Sequence, residues 1–133
     1  MTGDLPSMFA TGLVALGSAA GTLARFALGQ WVLGRDFRYP LSATLAVNLS
    51  GCALAGLFAG SAWQSNADLV AFLATGFLGS YTTVSSFSLE TVILWQSGHR
   101  GRAAAYVLAS VLGGLVLAMA CWGLASQSAG GRA

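Results

Sequence analysis

Residues 76–90 read GFLGSYTTVSSFSLE, a stretch in which nearly half of the side chains carry hydroxyl groups and which ends on the carboxylate of Glu90. It lies in one of the most apolar parts of a chain that is 56% hydrophobic and 8% charged. Hydroxyl groups there can replace water around a small anion, and carbonyls freed by a helix break can coordinate a cation. The alternative is an unbroken helix whose Ser and Thr side chains bond back to their own turn.

Neutral hydrogen-bonding side chains recur at helical spacing in two other apolar segments. Thr44 and Asn48 stand one turn apart, as do Tyr106 and Ser110, which Gly114 follows at the same spacing. Because a buried Asn is costly without partners, Asn48 is predicted either to bond a neighbouring helix or to line a pore as an amide donor. The row formed by Tyr106, Ser110 and Gly114 suits either a solute path or helix packing.

Two charged side chains, Arg25 and Glu90, lie in or at the edge of apolar segments. An intramembrane charge is a functional candidate unless the side chain reaches the interface, and these two could also pair with each other. Cys52, Cys121 and the lone His99 are too few for a thiolate metal centre. No ring of carboxylates marks a cation pore. The chain shows no nucleophile–base pair and no glycine-rich phosphate loop, so we predict that it is not an enzyme.

Long uncharged stretches must position these side chains. A helix needs about 20 residues to cross a hydrocarbon core of about 30 Å. Four stretches free of Asp, Glu, Lys and Arg meet that length: 5–24, 39–67, 69–89 and 103–131. We predict an all-α membrane protein, a single domain over 1–133, with transmembrane helices over about 8–33, 41–63, 69–96 and 103–125. The third is predicted to break mid-membrane near 79–83, where Gly, Ser and Thr are poor helix formers.

The remaining features narrow the class of protein. The start MTGDLPS has an acid and no basic region, unlike a secretory signal. The net charge of +2 comes from scattered Arg residues and predicts no nucleic-acid partner. Small residues at helix-contact spacing allow close helix approach, either within one subunit or between subunits. The pairs are Gly17 and Gly21, Gly51 and Ala55, and Gly56 and Gly60.

Three of these segments resemble motifs of the Fluc (CrcB) fluoride channels, and the resemblance extends from about Gly17 to Gly114. They are GSAAGTLARF at 17–26, TLAVNLSGCALAG at 44–56 and GFLGSYTTVSSFSLE at 76–90, the last being the most specific. The resemblance implies a multi-pass protein of the bacterial plasma membrane that exports fluoride passively. It also implies an antiparallel, dual-topology dimer of four-helix subunits in lipid, with two pores.

The resemblance also assigns residues. A structural Na⁺ that is not transported is expected at the dimer centre, held by the backbone carbonyls of Gly79 and Thr82. The family usually has a phenylalanine where this chain has Val84, and a second pore serine where it has Gly114. The roles of Arg25 and Glu90 stay open. The expected fluoride path follows Thr44, Asn48, Thr83, Val84, Phe87, Tyr106 and Ser110.

The distribution of Arg residues supports a second hypothesis, a heterodimeric fluoride channel. By the predicted helices, four of them lie in the two links on one side of the membrane and one lies in the tail on the other. The positive-inside rule then predicts insertion mainly one way, with a homologous subunit of opposite bias as partner. The four are Arg35, Arg38, Arg100 and Arg102, against Arg132.

Two further alternatives stay open at this point. A small proton-coupled multidrug exporter is also a four-helix, dual-topology protein, but it relies on a carboxylate in its first helix, where this chain carries Arg25. A non-conducting accessory subunit is the other alternative, because Val84 removes an aromatic edge from the expected pore.

Overall fold

The structure, a computed structural model, describes residues 8–35 and 40–130. Its helices are α1 (Met8–Arg35), α2 (Pro40–Gly60), α3, α4 (Val84–Gln96) and α5 (Arg100–Gly130). Here α3 denotes three consecutive pieces: an α-helical start at Ala67–Leu69, a π-helical stretch at Val70–Leu78 and an α-helical end at Gly79–Tyr81. A 3₁₀ turn, Ala62–Ser65, connects α2 to α3.

The predicted all-α fold with four membrane-spanning helices is confirmed, since four spans are long and apolar enough to cross a membrane. They are Met8–Gly34, Leu41–Gly60, Ala67–Gln96 and Arg100–Ser128. The second span ends earlier than predicted because Ser61 is extended and its side chain caps the 3₁₀ turn by accepting from the Trp63 N–H. The fourth helix is longer at both ends than the predicted 103–125.

The predicted break in the third span falls at Thr82 and Thr83, whose backbones are both extended. Thr83 is the N-cap of α4: its hydroxyl oxygen accepts from the Ser86 N–H at 3.2 Å, as Thr commonly does at this position. Ahead of the break, the nine-residue π-helix at Val70–Leu78 is a rare structure, and shorter π-helical turns are frequent at functional sites.

Close helix contacts depend on glycines, and they lie within this one chain. A Cβ built at Gly17 or Gly21 of α1 would overlap the backbone carbonyl of Phe72 or Phe77 in the π-helical stretch. Gly56 and Gly60 of α2 approach the backbone of α5 in the same way, at Ala118 and Trp122. Four of the six predicted small residues therefore pack helices within the subunit, and Gly51 does so against the Thr82 side chain.

The bundle buries little and presents apolar side chains outward, as expected for a protein surrounded by lipid. Its four Trp residues are 52–60% exposed. Chain direction places Trp31 and Trp95 near one end of the bundle, and Trp63 and Trp122 near the other. Trp is enriched at both membrane interfaces. The rise from Arg100 to Trp122 along α5 is about 33 Å, close to the thickness of a hydrocarbon core.

Candidate functional site

Three helices meet at Glu90, in what we call the Glu90 cluster: Thr44 of α2, Glu90 of α4 and Tyr106 of α5. The Thr44 hydroxyl donates to Oε1 and the Tyr106 hydroxyl donates to Oε2, both at 2.6 Å. Hydrogen bonds to a carboxylate are shorter and stronger than neutral ones. Since a hydroxyl has one hydrogen, Thr44 and Tyr106 use theirs on Glu90 in this arrangement, and Glu90 joins three helices.

Arg25, the other intramembrane charge, lies nearby but does not pair with Glu90 among the described residues. It borders a small pocket of about 120 Å³, together with Thr44, Thr83 and Ser86. The pocket therefore combines a cation with three hydroxyl side chains. This combination suits an anion at the edge of the site.

Asn48 bridges α2 to the break in the third span. Its Oδ1 accepts from the Thr83 N–H at 2.8 Å, and its Nδ2 donates to the Thr83 carbonyl at 2.9 Å. The side chain thus satisfies both backbone groups of a residue that has left the helix, which matches the helix-bonding interpretation of Asn48. The amide has a second N–H, and Asn48 also borders the groove described next.

A groove of about 290 Å³ lies between α2, the break, α4 and α5, and we call it the polar groove. The Ser110 hydroxyl there is buried and has no hydrogen-bond partner in the described part of the chain. The Phe87 ring is 5.4 Å from that of Tyr106, which connects the groove to the Glu90 cluster. The structure thereby brings together most of the predicted path residues. The groove is lined by Asn48, Cys52, Thr82, Thr83, Val84, Phe87, Ser110 and Val111.

Cys52 is a groove residue that the sequence analysis did not assign to the site. Its Sγ would lie 2.9 Å from a Cβ added at Gly114. The thiol therefore occupies the space that a side chain at position 114 would need. The spacing contained a signal for this, because Cys52 follows Asn48 by four residues and so shares its helix face.

The backbone carbonyls of Gly79 and Thr82 are the predicted Na⁺ ligands. In each case the N–H group that would bond the carbonyl in a continuous helix donates to another acceptor. In a continuous helix Gly79 would accept from the Thr83 N–H, which here donates to Asn48. Thr82 would accept from the Ser86 N–H, which here donates to the Thr83 hydroxyl. Both residues border a second groove beside Cys52. Oxygen donors of this kind fit a hard cation.

Comparison with known proteins gives a consistent result. Residues 12–123 match the family described as CrcB-like protein, Camphor Resistance (CrcB). A Moorella thermoacetica protein named Fluoride-specific ion channel FluC 2 is 49% identical over 82% of this chain and 90% of its own. Proteins named Fluoride-specific ion channel FluC from Stutzerimonas stutzeri and Methylobacillus flagellatus are 48% and 44% identical. The matches cover 84% and 83% of this chain, and 93% and 89% of theirs.

Proposed function

Since this chain belongs to the CrcB family, we propose that it is a fluoride-specific ion channel through which fluoride leaves a bacterial cell passively across the plasma membrane. The relatives support the choice of ion, because each is named a fluoride-specific ion channel. The observation in this chain that carries the proposal is the buried Ser110 hydroxyl, which borders the polar groove and has no partner among the described residues.

Neutral donors suit a small anion that must enter and leave quickly. Fluoride loses hydration water in a narrow path and needs hydrogen-bond donors in its place. The polar groove offers the Ser110 hydroxyl, the second N–H of Asn48 and the Phe87 ring, whose edge is electropositive. The Glu90 charge is covered by two hydroxyl donors, which weakens its repulsion of an anion in the neighbouring groove.

Thr44 and Tyr106 have a double role in this proposal. Their hydroxyl hydrogens hold Glu90, so fluoride can bind these hydroxyls only when the carboxylate gives them up. A path along Thr44 and Tyr106 therefore requires Glu90 to exchange partners. Arg25, beside the pocket that includes Thr44 and Thr83, supplies positive charge near that end of the path.

A second subunit is needed to complete the pore. Val84, on the wall of the polar groove, is 77% exposed, so the groove is open on that side in a single chain. We propose an antiparallel dimer in which the partner closes it. The freed carbonyls of Gly79 and Thr82 support the proposed structural Na⁺, whose role would be to bring these oxygens together. Exchanging Na⁺ for a larger cation during purification should then weaken the dimer, and an unchanged dimer would contradict the Na⁺ site.

The deciding experiment is fluoride efflux from liposomes that contain only this protein, measured with a fluoride electrode, with chloride efflux as the control. Fast efflux of fluoride but not chloride is expected. A fluoride flux lowered about fivefold in Ser110→Ala would connect that flux to the groove. Proton-driven efflux of cationic drugs in place of fluoride flux would instead support the exporter alternative, which α1 disfavours because it has Arg25 and no carboxylate in the described 8–35.

The heterodimer is the second candidate, and the Arg distribution supports it. Arg100 and Arg102 are exposed at one end of the bundle, and Arg35 ends α1 at the same end. Such a bias favours one orientation in the membrane. If well-folded protein alone gives no fluoride efflux, co-expression with a homologous subunit should restore it. Stable, conducting antiparallel dimers of this chain alone would rule the heterodimer out, and a partner that conducts equally well without it would identify an accessory subunit.

A further inference from the structure

The link between α4 and α5 is a fixed turn. The Gly98 N–H donates to the Trp95 carbonyl at 3.2 Å and the His99 N–H donates to the Leu94 carbonyl at 3.0 Å. These two bonds, with Gly98 at a φ of 79°, form a Schellman motif. The His99 carbonyl then accepts from the Ala103 N–H at 3.0 Å, so that α5 begins at once. The backbone of this turn is therefore held in a defined conformation.

Two Arg residues, a His and a Trp lie within eight residues on and beside this turn. The Arg100 guanidinium carbon lies 5.2 Å from the centre of the Trp95 ring. Stacking of this kind orients the guanidinium and leaves its N–H edge available for a planar anion such as phosphate. We call this surface the basic turn, and its members are Trp95, His99, Arg100 and Arg102. All four side chains are exposed.

No acidic side chain in the described part of the chain neutralises the basic turn. Asp68 and Glu90 are the two acids within 8–35 and 40–130. Asp68 lies in the first turn of α3, at the opposite end of the bundle. Both oxygens of Glu90 accept from hydroxyl groups of other helices. Within 8–35 and 40–130, the two guanidinium groups therefore have no carboxylate partner.

The depth of the basic turn identifies the kind of anion. Trp95 is 54% exposed near the end of the span Ala67–Gln96, and Trp is enriched in such positions at the level of the lipid headgroups. We propose that the basic turn binds the phosphate group of an anionic phospholipid, with Arg100 contacting the phosphate from its position over Trp95. Arg102 adds positive charge beside the site, and Trp95 lies against the start of the acyl chains. Charge complementarity and the neighbouring apolar ring favour a lipid over a free phosphate ion.

The test measures lipid binding and does not depend on fluoride flux. Protein in a neutral detergent is titrated with dioctanoyl phosphatidylglycerol, and the thermal unfolding midpoint is followed. A saturable rise is expected, with no rise for dioctanoyl phosphatidylcholine or inorganic phosphate. The double variant Arg100→Gln/Arg102→Gln should bind the anionic lipid about 30-fold more weakly, from about 1 kcal/mol for each Arg near a membrane surface.

Matched variants make the result decisive. Arg132→Gln removes one Arg from the chain's tail and should keep wild-type lipid affinity. Arg100→Lys keeps the charge but loses the planar fork, and should weaken binding a few-fold; it also decides the question if the double variant does not fold. Equal effects of the two lipids, an equal effect of inorganic phosphate, or unchanged affinity in the folded double variant or in Arg100→Lys would overturn the proposal.

Discussion

The Glu90 cluster and the polar groove are neighbours, connected by the contact between the Phe87 and Tyr106 rings, yet they use polar side chains in opposite ways. In the cluster each oxygen of Glu90 accepts a hydrogen bond. In the groove the buried Ser110 hydroxyl has no partner among the described residues. A buried polar group is costly unless it is bonded, so the cluster stabilises the fold, whereas the groove retains a capacity to bind.

This difference shows that polar side chains inside a membrane span can serve two purposes. Side chains whose hydrogen bonds are satisfied within the protein hold helices together, and side chains without a partner can bind a ligand. Asn48 belongs to both kinds, because its amide bonds both backbone groups of Thr83 and still borders the groove. Substitutions at this residue and on either side of it can therefore test whether the two regions are as distinct as their hydrogen bonds indicate.

The largest effect is expected for Asn48→Asp, which affects both regions. The carboxylate removes the donor to the Thr83 carbonyl and adds a negative charge to the proposed path. Two like charges a few ångströms apart in a protein repel by roughly 3 kcal/mol, which raises the barrier to fluoride, so fluoride flux in liposomes should fall roughly 100-fold. The matched control is Asn66→Asp, at the exposed N-cap of α3, where Asp caps as well as Asn. Wild-type flux in Asn48→Asp would mean that Asn48 only bonds the helix break.

Tyr106→Phe should mainly lower stability. It removes a hydroxyl that donates to the Glu90 carboxylate at 2.6 Å, and a hydrogen bond to a charged group contributes about 2 kcal/mol. Tyr81→Phe is the matched control, because that hydroxyl bonds the neutral Ser50 hydroxyl at 2.7 Å and should contribute about 1 kcal/mol. Unfolding free energies in mixed detergent micelles give the comparison. Equal losses would contradict a special strength of the Glu90 cluster.

Ser110→Ala should lower fluoride flux and leave stability nearly unchanged, the reverse of what is expected for Tyr106→Phe. No partner among the described residues loses a hydrogen bond, so the unfolding free energy should stay within about 0.5 kcal/mol of wild type. If the hydroxyl donates to fluoride in the path, removing a bond of about 1 kcal/mol lowers flux about fivefold. Ser126→Ala is the control, since that hydroxyl bonds its own helical turn at Gly123. A destabilised Ser110→Ala with wild-type flux would reverse the assignment of the groove.

Much of the fold could be predicted because hydropathy and helix-breaking residues are local properties. The four spans follow from charge-free stretches, and the break at Thr82 and Thr83 follows from hydroxyl residues that favour caps over helix interiors. The π-helical stretch at Val70–Leu78 could not be predicted in this way. It lies where the backbones of α1 and the third span come together at Gly17 and Gly21, and such a contact depends on two helices.

The site was predictable as a set of residues but not as an arrangement. Spacing placed Thr44 and Tyr106 on helix faces, but it did not show that both donate to Glu90. The bonds from Asn48 to Thr83 connect residues that are 35 positions apart, and nothing local to either residue specifies that pairing. The resemblance to a family supplied the list of path residues. Only the tertiary structure shows that Thr44, Asn48 and Tyr106 already make hydrogen bonds, whereas the Ser110 hydroxyl has no partner among the described residues.

A small loss of stability is expected at the wall of the polar groove, where the Cys52 thiol packs on Gly114. In Gly114→Ala the new Cβ would lie 2.9 Å from Cys52 Sγ. Because the thiol can move, the cost should be about 1 kcal/mol, at the low end for overpacking. Gly113→Ala is the matched control, since its Cβ would meet only the flexible end of Leu49. In the double variant Gly114→Ala/Cys52→Ala the cost should be less than the sum of the single costs, because contacting residues couple. Additive losses would show that the two residues do not share this space, and the polar groove would then have a different wall.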